Sequence, residues 1–138
     1  MNRDLLERKL SEIRSYLKEL APILGEDVST IIRDTYKLRS LERLFQLVVD
    51  TALDVNSHII AQSDIESPDD FQSTFLILGE NDILPHDFAL KIAPSVGLRN
   101  KIVHKYGRVD IKQMISAVKE EINQYEEYIR HVENFLNR

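Results

Sequence analysis

Between Ile111 and Leu136 the apolar residues Ile111, Ile115, Val118, Ile122, Tyr125, Ile129, Val132 and Leu136 recur in alternating steps of four and three. Side chains at that spacing share one stripe of an α-helix, whereas a strand would throw them to opposite faces. The same rhythm appears twice more. Leu6, Leu10, Ile13, Leu17 and Leu20 form one stripe. Leu41, Phe45, Val48, Ala52, Val55 and Ile59 form another, widened by Leu44, Val49 and Ile60. No segment alternates apolar and polar residues with the period of two that a half-buried strand requires. The chain is therefore expected to be all-α, and long stripes of this kind can only be buried against one another.

Punctuation between the stripes predicts the element boundaries. Ala21-Pro22 and Gly25 should end the first helix, and the long central helix should be entered near Asp27 to Ser29. Ser67-Pro68-Asp69-Asp70 combines a capping residue, a first-turn proline and early acids, predicting a short helix from there to Leu78, stopped by Gly79. Pro85 to Tyr106 reads as a helix interrupted or restarted at Pro94, because an internal proline removes a hydrogen bond and crowds the preceding turn. Gly107 offers a stop, and Asp110 can cap the last helix. The expected architecture is an up-and-down bundle of four long helices with a short extra one, forming a single domain over residues 1–138. No repeat, low-complexity segment or internal boundary divides it.

Composition limits the chemistry. The chain has no cysteine, which excludes disulfides, thiolate metal sites and a thiol nucleophile. With 43% hydrophobic and 30% charged residues it has the make-up of a folded globular protein. Its first residues, Met1-Asn2-Arg3-Asp4, are polar where a signal peptide needs an apolar stretch, and no apolar run reaches membrane-spanning length, so a cytoplasmic setting without membrane insertion is expected. The net charge is −5, yet residues 99–112 hold five basic side chains against Asp110, a local +4 that leaves the rest of the chain at −9. A basic island on an acidic body suits one small phosphate-bearing target, although such clusters also occur as plain solvated faces.

Within that island runs Gly97-Leu98-Arg99-Asn100-Lys101-Ile102-Val103-His104-Lys105-Tyr106-Gly107. Cleaving an RNA phosphodiester requires a group that moves protons near neutral pH and a fixed cation that holds the phosphate as charge builds. Histidine supplies the first and arginine the second, its planar fork gripping two oxygens together. The bland alternatives are a structural histidine at a helix end, an arginine in a surface ion pair and a tyrosine packed near a helix terminus. Spacing alone does not choose between these and the catalytic reading. Geometry adds a difficulty: five residues turn an ideal helix by about 140°, so Arg99 and His104 do not share a face. Either the helix ends near His104, or the cleft is assembled where two copies meet in a symmetric homodimer.

The run Arg99-Asn100, Val103-His104 and Tyr106 resembles the R-N-x-x-V-H-x-Y signature of the HepT-like toxins of the HEPN superfamily. Leu41-Glu42-Arg43-Leu44 leading into Val48 to Asp54 is similar to that family's long second helix, and Arg108-Val109-Asp110 with the heptad after it resembles its closing helix. The likeness spans roughly residues 37 to 132. It implies a dimeric helical bundle and a metal-independent endoribonuclease acting on cellular RNA, tRNA or mRNA, without a cofactor. It also implies a toxin role opposite a minimal nucleotidyltransferase antitoxin of the MntA type. Carried over by residue, Arg99 is the phosphate clamp, His104 the general acid or base, and Asn100 the polar neighbour orienting them. Tyr106 matches the tyrosine to which such antitoxins can attach AMP. From the basic island itself, and not from the family, Lys101, Lys105 and Arg108 are the residues expected to meet RNA, Lys105 standing where the family often has an acidic or other residue. The competing expectation is a non-catalytic binding subunit of a nucleotidyltransferase.

Several other side chains invite sharper readings than they support. Asp50, Asp54 and His58, at steps of four, can line one helix face as a metal-binding set; a solvated or ion-paired face is the preferred reading, with Asp50 alternatively turned toward the cleft to orient a partner. No metal site is expected. His86 and His131 are given no role. Phe71, Phe75 and Phe88 are assigned to core packing in preference to base stacking.

Overall fold

The computed structural model describes residues 1–104 and 110–138, and these hold eight helical segments and no strand. Helix α1, Arg3–Leu24, is capped by Asn2, whose side chain accepts a hydrogen bond from the Leu5 N–H. It continues through Pro22 and ends at Gly25, its C-cap, so of the expected stop Gly25 holds and Pro22 does not. The proline lies in the last turn, and the carbonyl it leaves without a partner belongs to exposed Lys18, where water can serve it. The expected entry to the central helix is two elements: a short α2, Val28–Arg33, and the 28-residue α3, Thr35–Gln62. Asp34 separates them by adopting an extended backbone, and its carboxylate accepts from the N–H groups of Tyr36 and Lys37 to cap α3.

No helix begins at Ser67. The segment through Ser73 is irregular, and α4 runs Thr74–Glu80. The reason is local competition: Asp70 Oδ1 accepts from the Ser73 N–H at 2.9 Å and from its hydroxyl at 3.0 Å, forming a side-chain turn in place of a helical one. Gly79, the expected stop, lies inside α4. A Cβ there would come within 2.5 Å of the Ala89 Cβ, so the glycine permits close approach of α5, His86–Ile92. Pro94 restarts the chain as α6, Pro94–His104, as its position predicted.

Asp110 caps α7, Ile111–Ile122, by accepting from the Gln113 N–H. The heptad then passes through Asn123 into α8, Gln124–Leu136. Asn123 keeps helical dihedrals, φ −61° and ψ −20°, so this joint bends the stripe without breaking it. Ile111 at its start is 41% exposed, while Ile115, Val118, Tyr125 and Val132 are wholly buried.

Helix α3 is the axis of the bundle, with α1 packed along it and α2, α4 and α6 against it. Two tyrosines of α8 tie the other helices to that axis. Tyr128 donates to Asn56 Oδ1 of α3 at 2.6 Å, and Asn56 Nδ2 donates to Thr74 Oγ1 of α4 at 3.1 Å. Tyr125 meets Ser95 Oγ of α6 at 2.7 Å, while Ser95 donates to the Ile92 carbonyl. Burial pushes both phenols far up from the ordinary tyrosine range, so they stay neutral hydrogen-bonding groups. No helix among the described residues is long and apolar enough to cross a membrane.

Candidate active site

The position of α6 is fixed from below and from the side. Val96 and Ile102 bury its inner face, and Ser95 anchors its first turn to Tyr125. Arg99 then reaches across to α3. Its Nε donates to Asp50 Oδ1 at 2.7 Å and its Nη2 to Asp50 Oδ2 at 3.2 Å, a two-point pairing of guanidinium and carboxylate. Nη1 donates to the side-chain oxygen of Asn100 at 3.2 Å. A guanidinium carries five N–H donors, of which these contacts use three. Among the described residues one N–H is left on each terminal nitrogen, donors that phosphate oxygens can accept.

Arg99, Asn100 and Asp50 are thus brought together, and Arg99 is held in one orientation at 20% side-chain exposure. Asp50 is ion-paired, as the preferred reading has it, and the partner it pairs with sits at the cleft. His104 is exposed at the last residue of α6, so the helix is regular from Arg99 through His104 and their directions differ by about 140°. The helix end therefore does not by itself bring the two onto one face. Lys101 is exposed on the same helix. Lys105, Tyr106 and Arg108 lie outside the described residues.

The carboxylate–carboxylate–histidine row on α3 is taken apart by its partners. Asp50 pairs with Arg99, and Asp54 faces Lys9 at 3.8 Å. His58 is half-buried, and its Nε2 has no hydrogen-bond partner among the described residues. Among those residues no three acids or histidines are grouped to hold a metal ion.

Beside Arg99 opens a cleft of about 510 Å³ between α3, α6 and the segment before α4, with Asp50, Asp54, Phe71, Gln72, Arg99 and Asn100 in its walls. Here the core assignment of the phenylalanines divides. Phe75 and Phe88 are core residues, but Phe71 is 62% exposed and stands at this cleft. Its neighbours in the sequence gave no periodic pattern from which its exposure could be read.

Residues 8–132 match the profile of the family described as ribonuclease HepT-like. The tRNA nuclease HepT of Aphanizomenon flos-aquae is 32% identical over 133 residues, covering 96% of this chain and 90% of that protein. The mRNA nuclease HepT of Shewanella oneidensis is 23% identical over 126 residues, 91% and 94% of the two chains. In fold, the chain is similar to the tri-AMPylated HEPN toxin of Shewanella oneidensis, solved in complex with its MNT antitoxin. The TM-score is 0.87 at 23% identity, over 97% of this chain and 99% of that one. YutE of Bacillus subtilis, a cytosolic protein of unknown function, follows at TM-score 0.83 and 15% identity, over 99% and 91%. The chain belongs to the HepT-like ribonuclease family.

Proposed function

We propose that the protein is the ribonuclease toxin of a toxin–antitoxin pair and cuts cellular RNA through Arg99 and His104. The observation that carries this reading is the arginine fork: among the described residues, Asp50 and Asn100 hold three of its N–H groups and leave two for a phosphate. In the reaction, the 2′-oxygen of one ribose attacks the adjoining phosphorus and the bond to the next 5′-oxygen breaks. His104 takes the 2′-hydroxyl proton or supplies one to the departing oxygen, and Arg99 neutralises the charge that gathers on the phosphoryl oxygens. The products are a 2′,3′-cyclic phosphate and a 5′-hydroxyl. A fixed cation and an imidazole cover the charge and the proton, so the chemistry calls for no metal.

Because Arg99 and His104 diverge on one helix, a homodimer that sets two copies of α6 face to face supplies a complete cleft. Lys101, Lys105 and Arg108 then flank it and meet the backbone of the RNA. A toxin of similar fold is tri-AMPylated and was solved with an MNT antitoxin, and another was solved with MntA, which supports a partner of the MntA nucleotidyltransferase type here. Tyr106 is the residue we assign as the one that receives AMP. A bulky anion next to the cut site would repel RNA by both charge and size.

The test is to incubate the protein with total cellular RNA in EDTA, beside Arg99→Ala and His104→Ala. Fragments ending in 2′,3′-cyclic phosphate from the wild type alone are expected. Equal cleavage by either variant would remove that residue from the chemistry, and intact RNA in every lane, with Tyr106 unmodified by mass, would favour the non-catalytic subunit.

A further inference from the structure

The cleft beside Arg99 has features that phosphate binding does not require. Its volume, about 510 Å³, falls within the range of about 300–1,000 Å³ typical of small-molecule sites. Phe71 stands at its edge with an exposed ring and an anchored backbone. The Phe71 carbonyl accepts from the Thr74 hydroxyl at 2.9 Å, Thr74 accepts from Asn56, and Asn56 accepts from Tyr128. The side chains of Thr74, Asn56 and Tyr128 are wholly buried, so the backbone that carries the exposed ring is tied to a polar chain running into the core.

The remaining walls define the chemistry of an occupant. Asp54 is 64% exposed, its Oδ2 facing Lys9 at a loose 3.8 Å. Asp70 uses Oδ1 to hold Ser73, and the hydrogen bonds from that residue's N–H and hydroxyl keep its carboxyl below the ordinary aspartate range, so it stays charged near neutral pH. Two carboxylates repel a second phosphate. They accept hydrogen bonds, and a flat ring with donors on its edge answers both them and the face of Phe71. Among the four RNA bases, guanine alone presents two adjacent donors, N1–H and the 2-amino group, which one carboxylate can accept together.

We propose that this cleft is a base subsite, selective for guanine, for the nucleotide whose 2′-hydroxyl attacks. Its 3′-phosphate is the group on the Arg99 fork. Phe71 stacks on the base, and Asp54 and Asp70 read its edge. The proposal rests on the ribonuclease reading, since it is that reading which sets a phosphate on Arg99.

Two measurements on the full chain separate the two ideas. The first is calorimetric binding of the four nucleoside 3′-monophosphates, which requires no cleavage. The second is sequencing of the ends cut in total RNA by wild type, Phe71→Ala, Asp54→Asn and Asp70→Asn. Guanosine 3′-monophosphate should bind at least about tenfold more tightly than the uridine compound. Loss of stacking in Phe71→Ala should weaken it by about 5- to 150-fold. The aspartate variants should lose the preference for guanine, and the preferred base at the cut site should fade in all three. Equal binding of the four nucleotides, or unchanged guanosine affinity in Phe71→Ala, overturns the subsite even if RNA is cut through Arg99. Selective, Phe71-dependent binding by a protein that leaves RNA intact supports the subsite and sinks the ribonuclease reading alone.

Discussion

Replacing Asp50 tests whether the Arg99 fork is aimed by its partner. The pair is neither buried nor fully wet, with side-chain exposures of 35% for Asp50 and 20% for Arg99. Exposed pairs contribute about 0–1 kcal/mol, whereas removing one member of a fully buried pair costs about 3–5 kcal/mol. Asp50→Ala should therefore lower stability by about 1–2 kcal/mol, since it leaves Nε and Nη2 of a mostly covered guanidinium without their acceptor. Asp50→Asn keeps one acceptor oxygen and loses the charge, so it should cost less. Urea unfolding reads the change as a shift in midpoint at constant slope. A double-mutant cycle with Arg99→Ala isolates the pair: the double variant should be less unstable than the sum of the singles by about 1 kcal/mol. In the cleavage assay the rate should fall further than stability explains, because a misaligned arginine no longer meets the phosphate as charge develops. Raising the conservative Asp50→Asn above Asp50→Ala in activity would mark positioning. Additive stabilities together with wild-type cleavage by Asp50→Ala would refute the reasoning.

Two glycines that look alike in the sequence should behave oppositely. Gly79→Ala drives a Cβ to 2.5 Å from that of Ala89 and should destabilise by about 1–3 kcal/mol in thermal unfolding. Gly97→Ala meets no atom within 4 Å and should stabilise α6 by about 0.5–1 kcal/mol. If Gly97→Ala instead weakens self-association in light scattering, the open space over Gly97 is where the second copy approaches. Glu121 carries a pH signature: burial raises its carboxyl above the ordinary 4.5, with neighbouring Glu120 adding to the rise, and Oε2 has no hydrogen-bond partner among the described residues. A raised acid favours folding when protonated, so that contribution is present below pH 4.5 and is lost as pH climbs through the raised value. Glu121→Gln should accordingly melt higher than wild type at pH 7, with the gap closing by pH 4.

What the sequence discloses about the fold is the part set by long-range burial. Stripes such as Leu6 to Leu20 and Leu41 to Ile59 each need a partner surface, and nothing local overrides that need. Boundaries are set by weaker local contests of about 1 kcal/mol, which composition does not rank. Asp34 outcompetes helix continuation with a cap of its own, and Asp70 folds the predicted helix start into a side-chain turn. Pro22 fails to stop α1 because its cost depends on whether water reaches the Lys18 carbonyl, a property of the finished surface. Gly79 reads as a stop only while its neighbour across space, Ala89, is unknown.

The site divides along the same line. Arg99, Asn100 and His104 are contiguous enough to be recognised as a pattern, and the resemblance to the family signature gives them expected roles before any coordinates. Asp50 lies 49 residues from Arg99. In the sequence it belongs equally to a metal-like row with Asp54 and His58, and only the docking of α6 on α3 decides that it faces a guanidinium. Phe71 is harder still. Its exposure follows from the refusal of residues 67–73 to be helical, and that refusal follows from which oxygen Ser73 finds. The residues most open to sequence reasoning are thus those proposed to act on the phosphate common to every RNA. The ones that would discriminate between RNAs sit where short-range hydrogen bonds override periodic pattern, and selectivity can change there while the bundle and its arginine fork stay as they are.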